Sequence, residues 1–430
     1  MRVAALAFAL AVAFGCPDQA RAAARPSFDD LVANLKSPNV KTRLEAATAL
    51  GKSRRPEAVT PLAAAIRAEP EARVRLEVVR GLRELRNLTA VPALVAAMSD
   101  ADAKVREEAL GALVESYAER ERTTPVTRFL EMFSDEYDRP SAAPFAAVDP
   151  SVFRALAAAL HDDEREIRES AAFAIGILGG RPALDELGSA LTDVDPGVRG
   201  AAATAVGQIG TVEEGRKLIP LLSDENASVR NRVLSALGSL RVREAGPALR
   251  ELFEQNRRKD SGTRILECLS RVGDRAQADL FRELVKDADP ERRRLAIEGL
   301  GRVSDASMLS AFKKDYQREK GEDLRLAYSF ALVRLGDRDF LDSLVLGLSS
   351  NAAGRRCRDY ILELGPEILD ALYPYLNDQD ADIRAELCDI IGTMGGAASM
   401  PWLEPLMKDP SPKVSDRANR AIERLRRGRS

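Results

Sequence analysis

The residues that could do chemistry are few. One histidine serves all 430 residues. His161 lies in the acidic stretch "LHDDEREIR", and no serine stands out as a partner, so a Ser-His-Asp arrangement has one imidazole and no evident nucleophile. Four cysteines, Cys16, Cys268, Cys357 and Cys388, are widely separated and form no C-x-x-C pair, which argues against zinc and against dithiol exchange. The last three fall where related stretches carry Ala, Leu or Val, and read as small apolar filler. A Cys357–Cys388 bridge stays open as an alternative in an oxidising compartment. No glycine-rich phosphate loop follows a strand, because no convincing strand is present. What recurs is an ion-pair pattern, an Asp followed five residues later by Val-Arg or Ile-Arg, as in "DVDPGVR" and "DENASVR".

That pattern implies elements that place it repeatedly. With Val229 as phase zero, equivalent positions are Thr42, Val74, Val105, Ile167, Val198, Val229, Ser261, Arg292, Leu324, Ala353, Ile383 and Val414. The steps are 32, 31, 62, 31, 31, 32, 31, 32, 29, 30 and 31 residues, the period of a stacked solenoid. Offsets 0, 4, 7, 8 and 11 tend to be apolar, the stripe of a buried helix face. Offset 8 is aliphatic in all twelve units, from Leu50 to Ile422. A second short apolar helix precedes each turn, for example Ala90 to Met98. Each unit is therefore a pair of antiparallel helices that must stack on its neighbours to bury its apolar faces.

The recurrent Asp and Arg form an expected structural ladder: Asp100, Arg106, Asp162, Arg168, Asp193, Arg199, Asp224, Arg230, Asp378 and Arg384. The Asp is expected to accept from the first free N–H groups of the following helix. The Arg is expected to reach a carboxylate or carbonyl of the adjacent unit. In the alternative reading, the Arg row binds an anionic ligand.

The D-x-x-x-x-V-R-x-x-A phrase, with its period near 31, resembles the short HEAT-like repeats named after phycobilin lyase subunits. The resemblance runs from about Phe28 to Arg427. It implies an all-α fold, an α-solenoid superhelix of about twelve two-helix repeats plus one degenerate repeat. For function it implies little, since such repeats serve many roles. HEAT-like iron hydroxylases use His-Glu pairs, and this chain has none. HEAT-like DNA glycosylases need a basic, aromatic-rich concave face, whereas Trp402 is the sole tryptophan and the formal net charge is -3.

The step of 62 marks a damaged unit centred near Glu136, whose second helix would run through Pro140 and Pro144. Residues 134–150 are expected to be irregular, either a decayed repeat or a loop that shapes a recognition site. Phe133, Tyr137 and Phe145 lie in or beside it. Phe173 and Phe330 occupy offset 6, expected to face the concave groove, and join them as candidate partner-binding residues. Small residues Gly200, Ala201 and Thr204 follow Phe173 one unit on. The concave charges of the C-terminal half, among them Arg294 and Glu298, nearly cancel and make no basic stripe.

Arg2 and the apolar run Val3 to Gly15 read as an export signal, cut near Ala22 or Ala24, with lipidation at Cys16 as the alternative. No later stretch is apolar enough to span a membrane. The expected organisation is a signal peptide at 1–24, repeats at 25–116, a degenerate repeat at 117–150 and repeats at 151–430. The expected function is a non-catalytic scaffold of the bacterial envelope, periplasmic or lipid-anchored, that binds a protein or peptide along its concave face without metal, cofactor or nucleic acid. The alternative is a lyase-like enzyme subunit or a chaperone acting on a partner protein.

Overall fold

A computed structural model describes residues 26–117 and 148–427. Cys16, Phe133, Tyr137 and Phe145 lie outside the described residues, as do the expected signal peptide and nearly all of the expected degenerate repeat. The chain divides into two compact units. Among the described residues the first comprises 26–117 and 148–155, and the second comprises 156–427. Described residues form α-helices and short 3-10 turns, and no strand occurs among them.

The first unit holds three helix pairs: α1 (Phe28–Asn34) with α2 (Val40–Lys52), α3 (Val59–Ala68) with α4 (Ala72–Leu85), and α5 (Val91–Ala97) with α6 (Ala103–Tyr117). Helix α7 (Pro150–Ala159) carries the division between the units. The second unit continues with α8 (Arg165–Ile177), α9 (Leu184–Ala190), α10 (Pro196–Ile209), α11 (Val212–Arg216), α12 (Ala227–Leu240), α13 (Gly246–Asn256), α14 (Asp260–Val272) and α15 (Ala278–Leu284). It ends with α16 (Pro290–Arg302), α17 (Leu309–Arg318), α18 (Glu322–Arg334), α19 (Leu341–Leu346), α20 (Gly354–Leu364), α21 (Leu369–Leu372), α22 (Ala381–Met394), α23 (Met400–Leu403) and α24 (Pro412–Arg427). Even-numbered helices from α8 to α24 are the second members of their repeats and pack side by side in order. Within each unit this is an α-solenoid.

The apolar stripe explains the stack. All twelve offset-8 aliphatics, Leu50 through Ile422, are at most 1 % exposed. Each contributes about 1.5–3 kcal/mol of burial. Close approach of second helices depends on the small residue that follows offset 8 in several repeats. A Cβ added to Gly207 would lie 2.9 Å from the Ala236 Cα, and one added to Gly301 would lie 2.8 Å from the Ala331 Cα. Glycine lets these backbones meet.

The exits of the second helices share one device. Arg54, Arg86, Arg241 and Ser304 have positive φ, as do Gly179, Gly273, Gly336 and Gly365, and all eight stand twelve residues after phase zero. A positive φ reverses the chain and ends the helix, which glycine does without strain. Arg241 holds φ 52 and ψ 47 without that freedom.

The ladder residues form a two-edged staple. Arg168 donates through Nε and Nη2 to Asp193 of the next repeat at 2.7 and 3.1 Å. Its Nη1 donates to the carbonyls of Asp162 and Asp163 in its own turn at 2.9 and 3.1 Å. Arg199 repeats this on Asp224, Arg75 on Asp100, and Arg384 on Asp409. Arg106 and Arg230 donate to the carbonyls of Asp100 and Asp224 in their own turns. A planar guanidinium matches both edges at once, which lysine cannot do.

The expected capping role needs a correction. The ladder Asp does not cap the helix; the residue two further on does. Asp193 accepts from the Asp195 N–H, while Asp195 accepts from Gly197 and Val198 in the first turn of α10. Asn226 caps α12 and Asp380 caps α22 in the same way. The ladder carboxylate is thereby left to receive the neighbour's guanidinium. Asp162 accepts from the Glu164 N–H.

Arg199 beside it, together with the Asn226 N–H, holds the Asp224 carboxyl below the usual carboxylate range, against the opposing effect of burial. A lowered folded-state value means that the contribution is present above the unfolded carboxyl's pKa, about 4, and is lost as pH falls through the folded value. Asp224→Asn is therefore expected to lose about 2 kcal/mol at pH 7. Urea unfolding at pH 3 is expected to show a smaller gap between variant and parent.

Candidate functional site

The sequence places the candidate site on the second-helix face, so its geometry follows from which side chains those helices send there. At offset 6, α8 carries Phe173, α10 Thr204, α12 Ser235, α16 Glu298 and α18 Phe330. Phe173 is half-buried. Thr204 is buried and donates to the Gly200 carbonyl at 3.0 Å. Arg232 lies over Gly200, since a Cβ there would come within 3.0 Å of the Arg232 Cδ. The floor beside Phe173 is thus small-residue backbone overlaid by a guanidinium stem.

Phe330 corrects the expectation of an exposed anchor. It is 0 % exposed. The Tyr360 ring of α20 stacks on it at 4.6 Å with 19° between planes. From the other side the Arg302 guanidinium of α16 sits over the ring at 5.2 Å. The repeats before and after α18 therefore close over it.

Around that sandwich lies a buried polar node that pattern reading missed. Glu298 is 3 % exposed and Tyr360 also 3 %. The Tyr360 hydroxyl donates to Glu298 Oε1 at 2.5 Å. Arg302 Nη1 donates to Glu298 Oε2 at 3.0 Å and to Ser270 Oγ at 2.8 Å. Its Nε and Nη2 donate to the two Glu363 oxygens at 2.8 and 2.9 Å. Arg294 pairs with Glu298 and Glu291. Arg241 Nη2, from the end of α12, lies 3.1 Å from Glu363 Oε1. Ser270 in turn donates to the Leu295 carbonyl at 2.8 Å.

Opposed charges decide the protonation states here. Burial acts to raise the Glu298 carboxyl, but Arg302, Arg294 and the Tyr360 hydroxyl outweigh it and hold the group below its ordinary value. Glu363 is held low in the same way, its burial being outweighed by Arg302 and Arg241. Burial, reinforced by the Glu298 charge, pushes the Tyr360 phenol well up. The node is thus a set of fixed charges with a neutral phenol, an arrangement that positions helices and has no group poised to exchange a proton near neutrality.

His161 is exposed in the turn after α7. Cys268, Cys357 and Cys388 are buried and unbridged. Burial pushes the Cys357 and Cys388 thiols up to about 12. Among the described residues no group of His, Cys, Asp and Glu is arranged to hold a metal ion, and no helix is long and apolar enough to cross a membrane. Trp402 is 49 % exposed on α23 and stacks on Tyr373 at 4.7 Å and 4°.

A family model described as HEAT repeats matches residues 4–83, 28–114, 59–143, 153–218 and 215–301. No curated protein matches the chain. Among solved structures, an engineered protein is 16% identical with a TM-score of 0.36, over 93% of this chain and 98% of that one. The complex of CpcE and CpcF of phycocyanin lyase from Nostoc sp. PCC7120 matches at 22% identity and a TM-score of 0.31, over 60% of this chain and 100% of the other.

Proposed function

The chain belongs to the HEAT-repeat family, and from that premise we propose that it is a non-catalytic scaffold that binds a protein or peptide on the second-helix face of its repeats. The binding region is the stretch around α8 and α10. The observation that carries this reading is the contrast at offset 6: Phe173 is half-buried, whereas Phe330 is wholly covered by its neighbours. A partly exposed aromatic is the type of anchor on which protein recognition concentrates.

The protein acts in the bacterial envelope after export. This is supported by the positive and apolar start of the sequence, with cleavage near Ala22 or Ala24 or lipidation at Cys16. Sequencing the mature N-terminus in the native host separates these outcomes, and an intact Met1 would remove the export reading.

A photo-crosslinking residue at Phe173, used in that host, is expected to trap a discrete partner. Phe173→Ala is expected to weaken capture by roughly tenfold, the loss of one aromatic anchor. Trp402→Ala on the opposite helix row serves as the control. If Trp402→Ala abolishes capture while Phe173→Ala leaves it unchanged, the partner uses the first-helix side and the assignment fails.

A further inference from the structure

The ladder and the node occupy different stretches of the second unit. Bidentate staples link Arg168 to Asp193 and Arg199 to Asp224, and resume from Arg384 to Asp409. Between them the ladder positions change chemistry. Asn256 stands where the next carboxylate would be, and Arg230 keeps only carbonyl bonds, to Asp224 and Glu225 at 2.6 and 2.9 Å. Glycine stands at the ladder-arginine position at 262 and at 354, while Arg325 between them bonds the Glu319 carbonyl and the Tyr316 hydroxyl. Arg293 also bonds carbonyls, those of Asp287 and Ala288.

The node falls in this stretch, and its bonds join non-neighbouring repeats. Arg302 to Glu363 spans 61 residues and Tyr360 to Glu298 spans 62, which is two repeats, passing over α18. Arg241 to Glu363 spans four repeats, from α12 to α20. Arg302 and Tyr360 flank Phe330 from either side, so these bonds cross α18 over its offset-6 face, the expected inner wall, near the C-terminal ends of the helices. The shortest step in the sequence, 29 residues from Leu324 to Ala353, delivers α20 to this point.

We propose that Arg241, Arg302, Tyr360 and Glu363 form a clasp that holds the repeats from α12 to α20 in a closed turn and keeps their inner wall shut. Neighbouring-repeat packing holds the stack together, and the clasp sets how far this stretch curls. A partner that enters the wall here must first displace Arg241 and Glu363, the two members nearest solvent, whose side chains are 51% and 15% exposed. The clasp rests on these bonds alone and stands independently of the binding site assigned to Phe173.

The test uses the full chain with nitroxide labels at Ser239→Cys and Glu367→Cys, both exposed positions on either side of the clasp. Cys268, Cys357 and Cys388 are buried and do not compete for label, and Cys16 is replaced by Ser in every variant and in the parent. Three substitutions remove the polar links with little threat to folding. Arg241→Gly relieves a left-handed backbone, Tyr360→Phe keeps the ring stack, and Glu363→Ala leaves Arg302 paired to Glu298.

The parent is expected to give one narrow distance by pulsed electron resonance. The triple variant is expected to give a longer and broader distribution with unchanged helix content by circular dichroism, and Arg241→Gly alone a smaller shift. Salt at 1 M, where the screening length is about 3 Å, should move the parent toward the single variant. An unchanged distance in the triple variant overturns the proposal. Loss of helix content together with the distance change overturns it as well, because the node would then be part of the core.

Discussion

Leu237→Asp is expected to unfold the repeat that carries it. Leu237 is 0 % exposed at offset 8 of α12, facing both its own first helix and the repeats on either side. Removing the side chain alone costs about 2–5 kcal/mol, and the introduced carboxylate adds a desolvation cost of several more. The nearest ladder residue on the helix, Arg230, lies two turns earlier on α12 and bonds turn carbonyls. In a stack whose stability is a sum of repeat and interface contributions, the loss is local first. The expected result is a lower helix signal at 25 °C and new proteolytic cleavage within 227–240. Ser235→Asp is the matched control: it puts the same charge on the same helix at an exposed position and should change stability by at most about 0.5 kcal/mol.

Arg302→Met is expected to cost about 3–5 kcal/mol at pH 7, because it strands buried carboxylates that now share one guanidinium. Arg302 makes four of the node's hydrogen bonds, to Glu298, Ser270 and both oxygens of Glu363. The sign of the pH dependence distinguishes this from lost packing. In the parent, Glu298 and Glu363 are held low, so their contribution is present above the ordinary glutamate pKa of about 4.3 and is lost on acidification through the folded values. In the variant the same carboxyls are buried with their main cation removed, and protonation relieves them. Urea unfolding at pH 7 and pH 4 should therefore show the parent losing stability on acidification and the variant losing less or gaining. A parallel decline in both would mean that Arg302 acts through its stem and its contact with Phe330.

The two variants touch parts of the fold that differed in how far the sequence disclosed them. Leu237 was placed by counting. A period near 31 fixes each residue relative to its nearest neighbours, and nearest-neighbour contacts make up the offset-8 core. The same counting pairs Arg168 with Asp193, because a guanidinium reaches one repeat along. It mistook the capping residue by two positions, since Asp193 and Asp195 are both suited to an N-cap and only the backbone shows which N–H groups each accepts. Phe330 exposes the larger gap. The pattern marks it as an exposed anchor, whereas the repeats on both sides cover it with Arg302 and Tyr360. Whether inner walls meet depends on twist accumulated over several repeats, which a nearest-neighbour pattern does not encode. Signals existed: Glu298 and Arg302 stand four apart on one helix, and the 29-residue step marks an irregular repeat. Neither identifies Glu363 as the third member.

The interruption of the turn staples between Arg230 and Arg384 has a mechanical consequence. Stretches bound by guanidinium forks at every corner are stiff against extension, since each corner must break two charged bonds before it yields. The interval without them is tied instead by the Arg302 and Arg241 bonds to Glu363, which bridge several repeats at once. Tension there would not be yielded corner by corner; it would be held until those few bonds part and then released over several repeats together.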